Sequence, residues 1–234
     1  MRHVAAIPSY LLDTYWWAYV HPRAVRLFER QWLVNLILWG NFARLRDAAL
    51  DALGASPAGR TLQVACVYGD FTRRLAERLP AGATLDVVDV LPIQLANLRA
   101  KLGAVPAVGL LQRDAADLGI PDASYDRAVL FFLLHEMPAD VRARTLHEAL
   151  RVLKPGGRLV VVDYHRPARW HPLRPVMRAI LRRFEPYALD LWGDGVQAWL
   201  PEGSAILEQA TWFGGLYQRL VIAAGGKPEP LRAL

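Results

Sequence analysis

Two clusters of side chains have the types and spacing of a working site. Val67-Tyr68-Gly69-Asp70 lies between a β-rich run and a helical one, where the free amides of a helix start favour an anionic group. About 20 residues after Gly69, Asp89 and Val90 end the next β-rich run, the separation at which a carboxylate meets a nucleotide ribose in dinucleotide folds. A third run ends in the polar turn Asp114-Ala115, where Asp114 competes with Asp117 to face a base edge. With Phe131 at the end of the fourth run, these residues are the candidate cofactor contacts, and together they describe a nucleoside pocket. The second cluster is His135-Glu136 after the fourth run and Asp163-Tyr164-His165 after the fifth. Asp163, Tyr164 and His165 are the catalytic candidates, Tyr164 and His165 as proton carriers. His135, Asp163 and His165 are the oxygen and imidazole donors available to a metal, against the plainer alternative of structural histidines and helix caps.

The elements that must position these groups alternate. Strands are expected at Thr61–Val67, Thr84–Val90, Ala107–Gln112, Arg127–Phe132 and Arg158–Asp163, with helices at Phe71–Leu79, Ile93–Leu102 and Ala139–Leu153 between them. That alternation implies an α/β fold with a doubly wound, mostly parallel sheet, whose ligands sit beyond the carboxyl ends of the strands. Helices near Val176–Phe184 and Asp190–Leu200 follow, and Glu208–Phe213 with Leu216–Ala223 reads as an antiparallel hairpin closing the sheet. Residues 1–53 are aromatic and helical, with His21-Pro22 as a helix start and Val25, Phe28, Trp32, Leu36 and Trp39 at helical spacing from Arg23 onward. They are expected to form an N-terminal helical cap, and residues 54–234 the ligand-binding domain.

The 234-residue chain is 53% hydrophobic with one cysteine, Cys66, which excludes a disordered chain or a disulfide-stapled scaffold and fits a reducing, cytoplasmic setting. No run of about 18 apolar residues suggests a membrane span, and Met1–Tyr10 lacks the pattern of a secretion signal. The net charge of +6 calls for an anionic partner. Between Arg151 and Arg183 stand nine basic residues and a single acid, Asp163. In the same region Arg174, Arg178 and Arg182 share one helical face and Leu173, Met177, Ile180 and Phe184 another, the pattern of a helix lying in an anionic headgroup layer. Neither zinc-finger spacing nor an aromatic RNA-binding signature is present, so nucleic acid is not the expected partner.

From Leu62 to Asp70 the chain resembles the glycine-rich first motif of class I S-adenosylmethionine-dependent methyltransferases, with Asp89 and Asp114 matching the ribose and adenine acids and Leu153-Lys154-Pro155-Gly156-Gly157-Arg158-Leu159 matching the turn into the fifth strand. The resemblance covers roughly residues 60–225 and implies a seven-stranded methyltransferase-like sheet that binds S-adenosylmethionine. It departs at the first motif, where acid-x-Gly-x-Gly-x-Gly has become Gln63-x-Ala65-x-Val67-x-Gly69. With that loop, Tyr15-Trp16-Trp17, His21-Pro22-Arg23-Ala24-Val25 and Asp163-Tyr164-His165-Arg166-Pro167 resemble the rhodoquinone-biosynthesis family. This second resemblance implies that a ring methoxy group of ubiquinone is replaced by an amino group, with S-adenosylmethionine as amino donor and manganese assisting. It also implies peripheral contact with the inner face of an anionic membrane, where the quinone resides. The alternatives are methyl transfer to a lipophilic quinone or phenol, and a non-catalytic, membrane-associated relative that has lost the cofactor.

Overall fold

The computed structural model describes residues 6–225, so the first five positions of the N-terminal reading lie outside the described residues. In chain order, α1 (Ser9–Thr14) leads into a π-helical turn (Trp16–Val20), then α2 (Pro22–Phe28), α3 (Gln31–Ile37), α4 (Phe42–Leu53), β1 (Arg60–Val64), α5 (Phe71–Glu77), β2 (Thr84–Asp89), α6 (Pro92–Leu102) and β3 (Val108–Gln112). There follow β4 (Tyr125–Phe131), a 3-10 turn (Leu134–Glu136), α7 (Ala139–Arg151), β5 (Leu153–Tyr164), α8 (Arg174–Phe184), α9 (Ala188–Gly193), a second 3-10 turn (Val196–Trp199), β6 (Ala205–Trp212) and β7 (Tyr217–Ala223).

The seven strands lie in the order β3-β2-β1-β4-β5-β7-β6. β1 to β5 run parallel, and β7 inserts antiparallel between β5 and β6, which closes the sheet as the sequence pattern requires. Alternation along the strands divides the core. On β4, Val129 and Phe131 face a layer with Phe42, Leu45 and Ala49 of α4, while Ala128 and Leu130 face a layer with Leu146, Ala149 and Leu150 of α7. The strand order reverses between β2-β1 and β1-β4, so the crevice for a ligand opens past the carboxyl ends of β1 and β4.

Three differences from the expected elements bear on the site. The helix expected from Arg23 onward breaks twice, at Arg30, whose backbone is extended, and around Trp39 and Gly40, which both take positive φ. The breaks let short helices fold over the strand ends instead of running past them. α4 packs directly on the sheet, its buried residues Phe42, Leu45, Ala49, Leu50 and Leu53 forming one helical stripe. The helix expected over Asp190–Leu200 stops at Gly193 because Gly195 sits at φ +72°, and a 3-10 turn follows.

Candidate functional site

Asp89 closes β2 and points its carboxylate into the crevice. Its Oδ2 accepts from the Cys66 amide (2.8 Å) and its Oδ1 from the Leu91 amide (2.8 Å), a turn in which aspartate bonds its own chain two residues on. Burial pushes its carboxyl up to about 6 against the pull of those amides. Asp114 uses the same device, accepting from the Ala116 amide (2.8 Å). Asp89, Val90, Asp114, Ala115 and Phe131 all border one cavity, together with Val67 and Tyr68 from the altered loop.

The rest of that loop shows how its substitutions are accommodated. Ala65 adopts φ +71°, left-handed backbone that favours glycine, and the buried Gln63 side chain donates to its carbonyl (2.9 Å). Tyr68 does not block the cavity. Its ring stacks against Tyr19 and Phe28, its hydroxyl donates to the Ala18 carbonyl (2.9 Å), and Gln94 donates to that hydroxyl (2.8 Å). The tyrosine is thus a strut between loop and π-helical turn. Gly69 and Asp70 lie outside the cavity. At Gly69 a Cβ would stand 2.9 Å from Phe42, and Lys101 and Glu29 bind its carbonyl and amide. Asp70 is paired with Arg46 (2.8 Å) and Arg74 (3.0 Å), which hold its carboxyl below the ordinary range despite partial burial, so it fastens α5 to α4.

At the other end of the cavity His135, Glu136, Tyr164 and Glu185 come together. Asp163 is fully buried behind them and accepts from the amides of Leu134 (2.8 Å) and Tyr164 (2.7 Å) and faces His135 Nδ1 at 2.9 Å. Burial opposes the imidazolium, but Asp163 outweighs it and holds His135 up to about 9. Tyr164 packs edge-on against His135, and burial drives its phenol well above the ordinary value, which suits a wall residue better than a proton carrier. His165 turns away, its Nδ1 at 2.7 Å from the Gly215 carbonyl and its ring outside the cavity.

The expected metal set is therefore not assembled. Asp163 is saturated by backbone amides and His135, His165 faces the hairpin, and no group of three or more metal-ligating side chains exists among the described residues. Manganese does not fit the donors this chain presents at the site.

Three contributors escaped the sequence reading. Arg142 is fully buried; it donates to the carbonyls of Leu134 (2.9 Å), Met137 (2.8 Å) and Tyr187 (2.8 Å) and stacks on Trp199, clamping the turn that carries His135 and Glu136. Its signal was an arginine on the apolar stripe of α7, in step with Thr145, Leu146, Ala149 and Leu150. Tyr19 and Glu185 come from segments whose approach no local pattern announces.

Between the two ends the cavity measures about 700 Å³ and is walled mainly by apolar and aromatic groups. Its mouth lies between α2–α3 and α8, at Trp17, Leu36, Trp39, Ile180 and Phe184. Outside the mouth Trp16, Trp32, Leu36 and Phe184 are about half exposed or more, and α3 buries no residue at all. α8 differs from the expected free amphipathic helix. Met177 and Leu181 dock into the core, and of the large apolar side chains of α8 Val176, Ile180 and Phe184 remain exposed beside Arg178, Arg182 and Arg183. Among the described residues no helix is long and apolar enough to cross a membrane.

Residues 61–157 match the methyltransferase domain family. The chain is 34% identical over 155 residues to the uncharacterized methyltransferase sll0829 of Synechocystis sp., spanning 66% of this chain and 68% of that one. It is 31% identical over 203 residues to the demethylmenaquinone methyltransferase of Beutenbergia cavernae, spanning 80% of each. In fold it is similar to the N-methyltransferase NodS of Bradyrhizobium japonicum in complex with S-adenosyl-L-homocysteine, with a TM-score of 0.59, 18% identity and coverage of 79% of this chain and 87% of that one.

Proposed function

The chain belongs to the class I S-adenosylmethionine-dependent methyltransferase family, and from that premise we propose that it transfers a group from S-adenosylmethionine to the ring of a lipid-soluble quinone. The observation that carries this reading is one continuous cavity, which joins the carboxylates of Asp89 and Asp114 to an apolar interior and an aromatic rim. Residues 1–53 then act as the cap that supplies the rim.

The residues present fit the co-substrate. Asp89 keeps lone pairs toward the cavity after accepting two amides and takes the ribose hydroxyls; Asp114 and Ala115 meet the base, while Val90 and Phe131 flank it. When bound, S-adenosylmethionine supplies either an electrophilic methyl group on sulfonium or its amine. The chain orients the ring between Phe132, Tyr164 and the cap, keeps water from the apolar interior, and places His135, Glu136 and Glu185 at the end away from Asp89 and Asp114.

For the outcome we favour replacement of a ring methoxy group of ubiquinone by an amino group. Its support is the loop with Gln63, Ala65 and Tyr68, which reshapes the space for the methionyl end that an ordinary methyl transfer uses, together with the motif resemblance of that loop and of Asp163–Pro167. Methyl transfer to a quinone is the second reading, favoured by the activity named for the Beutenbergia relative. Incubating the purified protein with ubiquinone, or with a demethylated quinol, and S-adenosylmethionine labelled separately in nitrogen and in methyl decides between them by product mass spectrometry. Label of neither kind, together with no calorimetric binding of S-adenosylmethionine, supports the non-catalytic alternative.

The rim also accounts for delivery of the substrate. Trp16, Trp32, Leu36 and Phe184 enter the interfacial layer of an anionic bilayer while the arginines of α8 meet its headgroups, each adding roughly 1 kcal/mol. Sedimentation with anionic vesicles, released by high salt, is the expected result; indifference to vesicles at low salt removes this part of the proposal.

A further inference from the structure

Glu136 is a carboxylate of the reacting end that is both anchored and free to work, and Glu185 stands beside it on the same cavity. It lies 7% exposed on the 3-10 turn after β4 and borders the cavity. Its Oε1 accepts the Tyr19 hydroxyl, and His135 Nε2 stands 3.8 Å from the same oxygen. No group among the described residues donates to its Oε2. The titratable groups facing it are His135 on its own turn, Tyr19 on the π-helical turn, Glu185 after α8 and Asp163 at the end of β5. Tyr10 on α1, Tyr15 before the π-helical turn, Tyr68 on the β1 loop and Tyr164 at the end of β5 also feel its charge. Burial raises its carboxyl to about 8, with Glu185 adding to the rise and His135 and Tyr19 opposing it. A carboxyl group that exchanges its proton near neutral pH is matched to general acid–base work.

We propose that Glu136 Oε2 takes the proton that the reacting group must lose before or during transfer, and that Tyr19 is the positioning residue that fixes Oε1. The inference rests on the quinone-site reading given above. The acidic group is an O–H of a reduced ring for methyl transfer, or an N–H of the co-substrate's ammonium for amino transfer. In either case the X–H bond breaks, its electron pair stays on oxygen or nitrogen, an O–H bond forms on Glu136, and the proton passes to solvent after product leaves. This proton transfer changes no oxidation state and needs no oxidant or reductant.

The test is kcat between pH 6 and 10 for wild type, Glu136→Gln, Glu136→Asp and Tyr19→Phe, with doubly labelled S-adenosylmethionine and calorimetric affinity for it alongside. Wild-type kcat should rise with unit slope at low pH and bend, with a midpoint near pH 8, to a plateau above pH 9, and the label in the product identifies which X–H was lost. Glu136→Gln should lose about 10²-fold in kcat, and the slope with it, while its affinity for S-adenosylmethionine stays within about twofold. Glu136→Asp, which keeps a carboxylate, should retain the slope at reduced rate. Tyr19→Phe should keep the slope and move its midpoint to higher pH, because a donor that stabilises the carboxylate is gone. A Glu136→Gln enzyme with wild-type kcat or an unchanged slope overturns the assignment while leaving the quinone reading intact. A wild type that binds S-adenosylmethionine but transfers neither label overturns both.

Discussion

The two ends of the cavity are built by opposite means. At the end proposed for adenosine Asp89 and Asp114 each sit at or just past a strand terminus and bond the amide two residues on, so mainly sequence neighbours fix their geometry, the Cys66 amide of the adjacent β1 loop adding one bond to Asp89. At the reacting end His135 and Glu136 depend on Asp163 of β5, Tyr19 of the cap and the Arg142 clamp, whose acceptors extend to Tyr187. Local turns tolerate change elsewhere in the chain, whereas a constellation drawn from distant segments is only as stable as the fold that joins them. The first end is therefore the place to alter binding without altering stability, and the second the place where stability and chemistry are linked.

The largest test of this contrast is Arg142→Met. It removes a buried guanidinium that serves three carbonyls; those of Leu134 and Tyr187 keep a backbone amide at 3.3 Å while that of Met137 loses its Arg142 donor, and each lost buried bond costs about 1–3 kcal/mol. Urea unfolding should show a loss of about 3 kcal/mol or more, while protein still folded at low denaturant binds S-adenosylmethionine with near wild-type affinity. Equal loss of co-substrate affinity would show that the two ends are not separately built.

Next in size is the dependence of stability on pH. His135 is held up to about 9 from an ordinary 6.5, so the folded chain keeps a proton that the unfolded chain releases; that stabilisation is complete below pH 6.5 and is lost as pH rises through 9. Glu136, raised by burial to about 8 from 4.5, acts in the same sense, because ionising it in place costs more than ionising it in water. Stability should fall by on the order of 3 kcal/mol between pH 6 and pH 9, read as a melting temperature lower by roughly 5–10 °C. His135→Asn should flatten about half of that slope, with Glu136 carrying the remainder. Asp89, raised to about 6, adds its own loss mainly below that window, so a slope confined to pH 4–6 would assign the effect to the wrong end.

Asp89→Ala addresses the adenosine end. A carboxylate accepting ribose hydroxyls contributes about 1.5–3 kcal/mol, so calorimetry should show affinity for S-adenosylmethionine falling about 10–100-fold. Stability should change less than in Arg142→Met, since the Cys66 and Leu91 amides that Asp89 caps border the cavity edge.

The same contrast explains what was legible in the sequence. Strand order, hairpin closure and the two aspartates follow from alternation, Pro/Gly punctuation and spacing along the chain, and the structure has each of them in its expected element. The intended metal trio did not follow, because strand ends show which residues are near the crevice and not which way their side chains turn. Asp163 was drawn behind the wall by three backbone amides, and His165 was turned outward by the Gly215 carbonyl of the hairpin. Gly69 and Asp70 matched a motif, yet the first meets Phe42 and the second pairs with Arg46, both on the polypeptide before β1, where no periodicity connects them to the loop. The long apolar helix expected from Arg23 was misjudged for a related reason. Its period is correct, but Glu29 is drawn to Lys101, Asn97 and the Gly69 amide, and the chain breaks just after it.

The smallest effect concerns the residue where the two ends meet. Tyr68 belongs to the cofactor loop by sequence and to the cap by contact, since its hydroxyl reaches the Ala18 carbonyl while its ring is stacked against Tyr19 and Phe28. Tyr68→Phe keeps the stack and removes two hydrogen bonds, the one to the cap at Ala18 and the one from Gln94, each worth about 1 kcal/mol. If the cap is held to the loop through this strut, the lost bond to Ala18 should appear as faster proteolysis or amide exchange within residues 16–21, with global unfolding nearly unchanged. Tyr19 carries the donor to Glu136, so the same loosening should lower turnover several-fold without altering affinity for S-adenosylmethionine. A drop in affinity instead, with the cap as protected as before, would move Tyr68 to the adenosine end and place the boundary between the two ends at the π-helical turn.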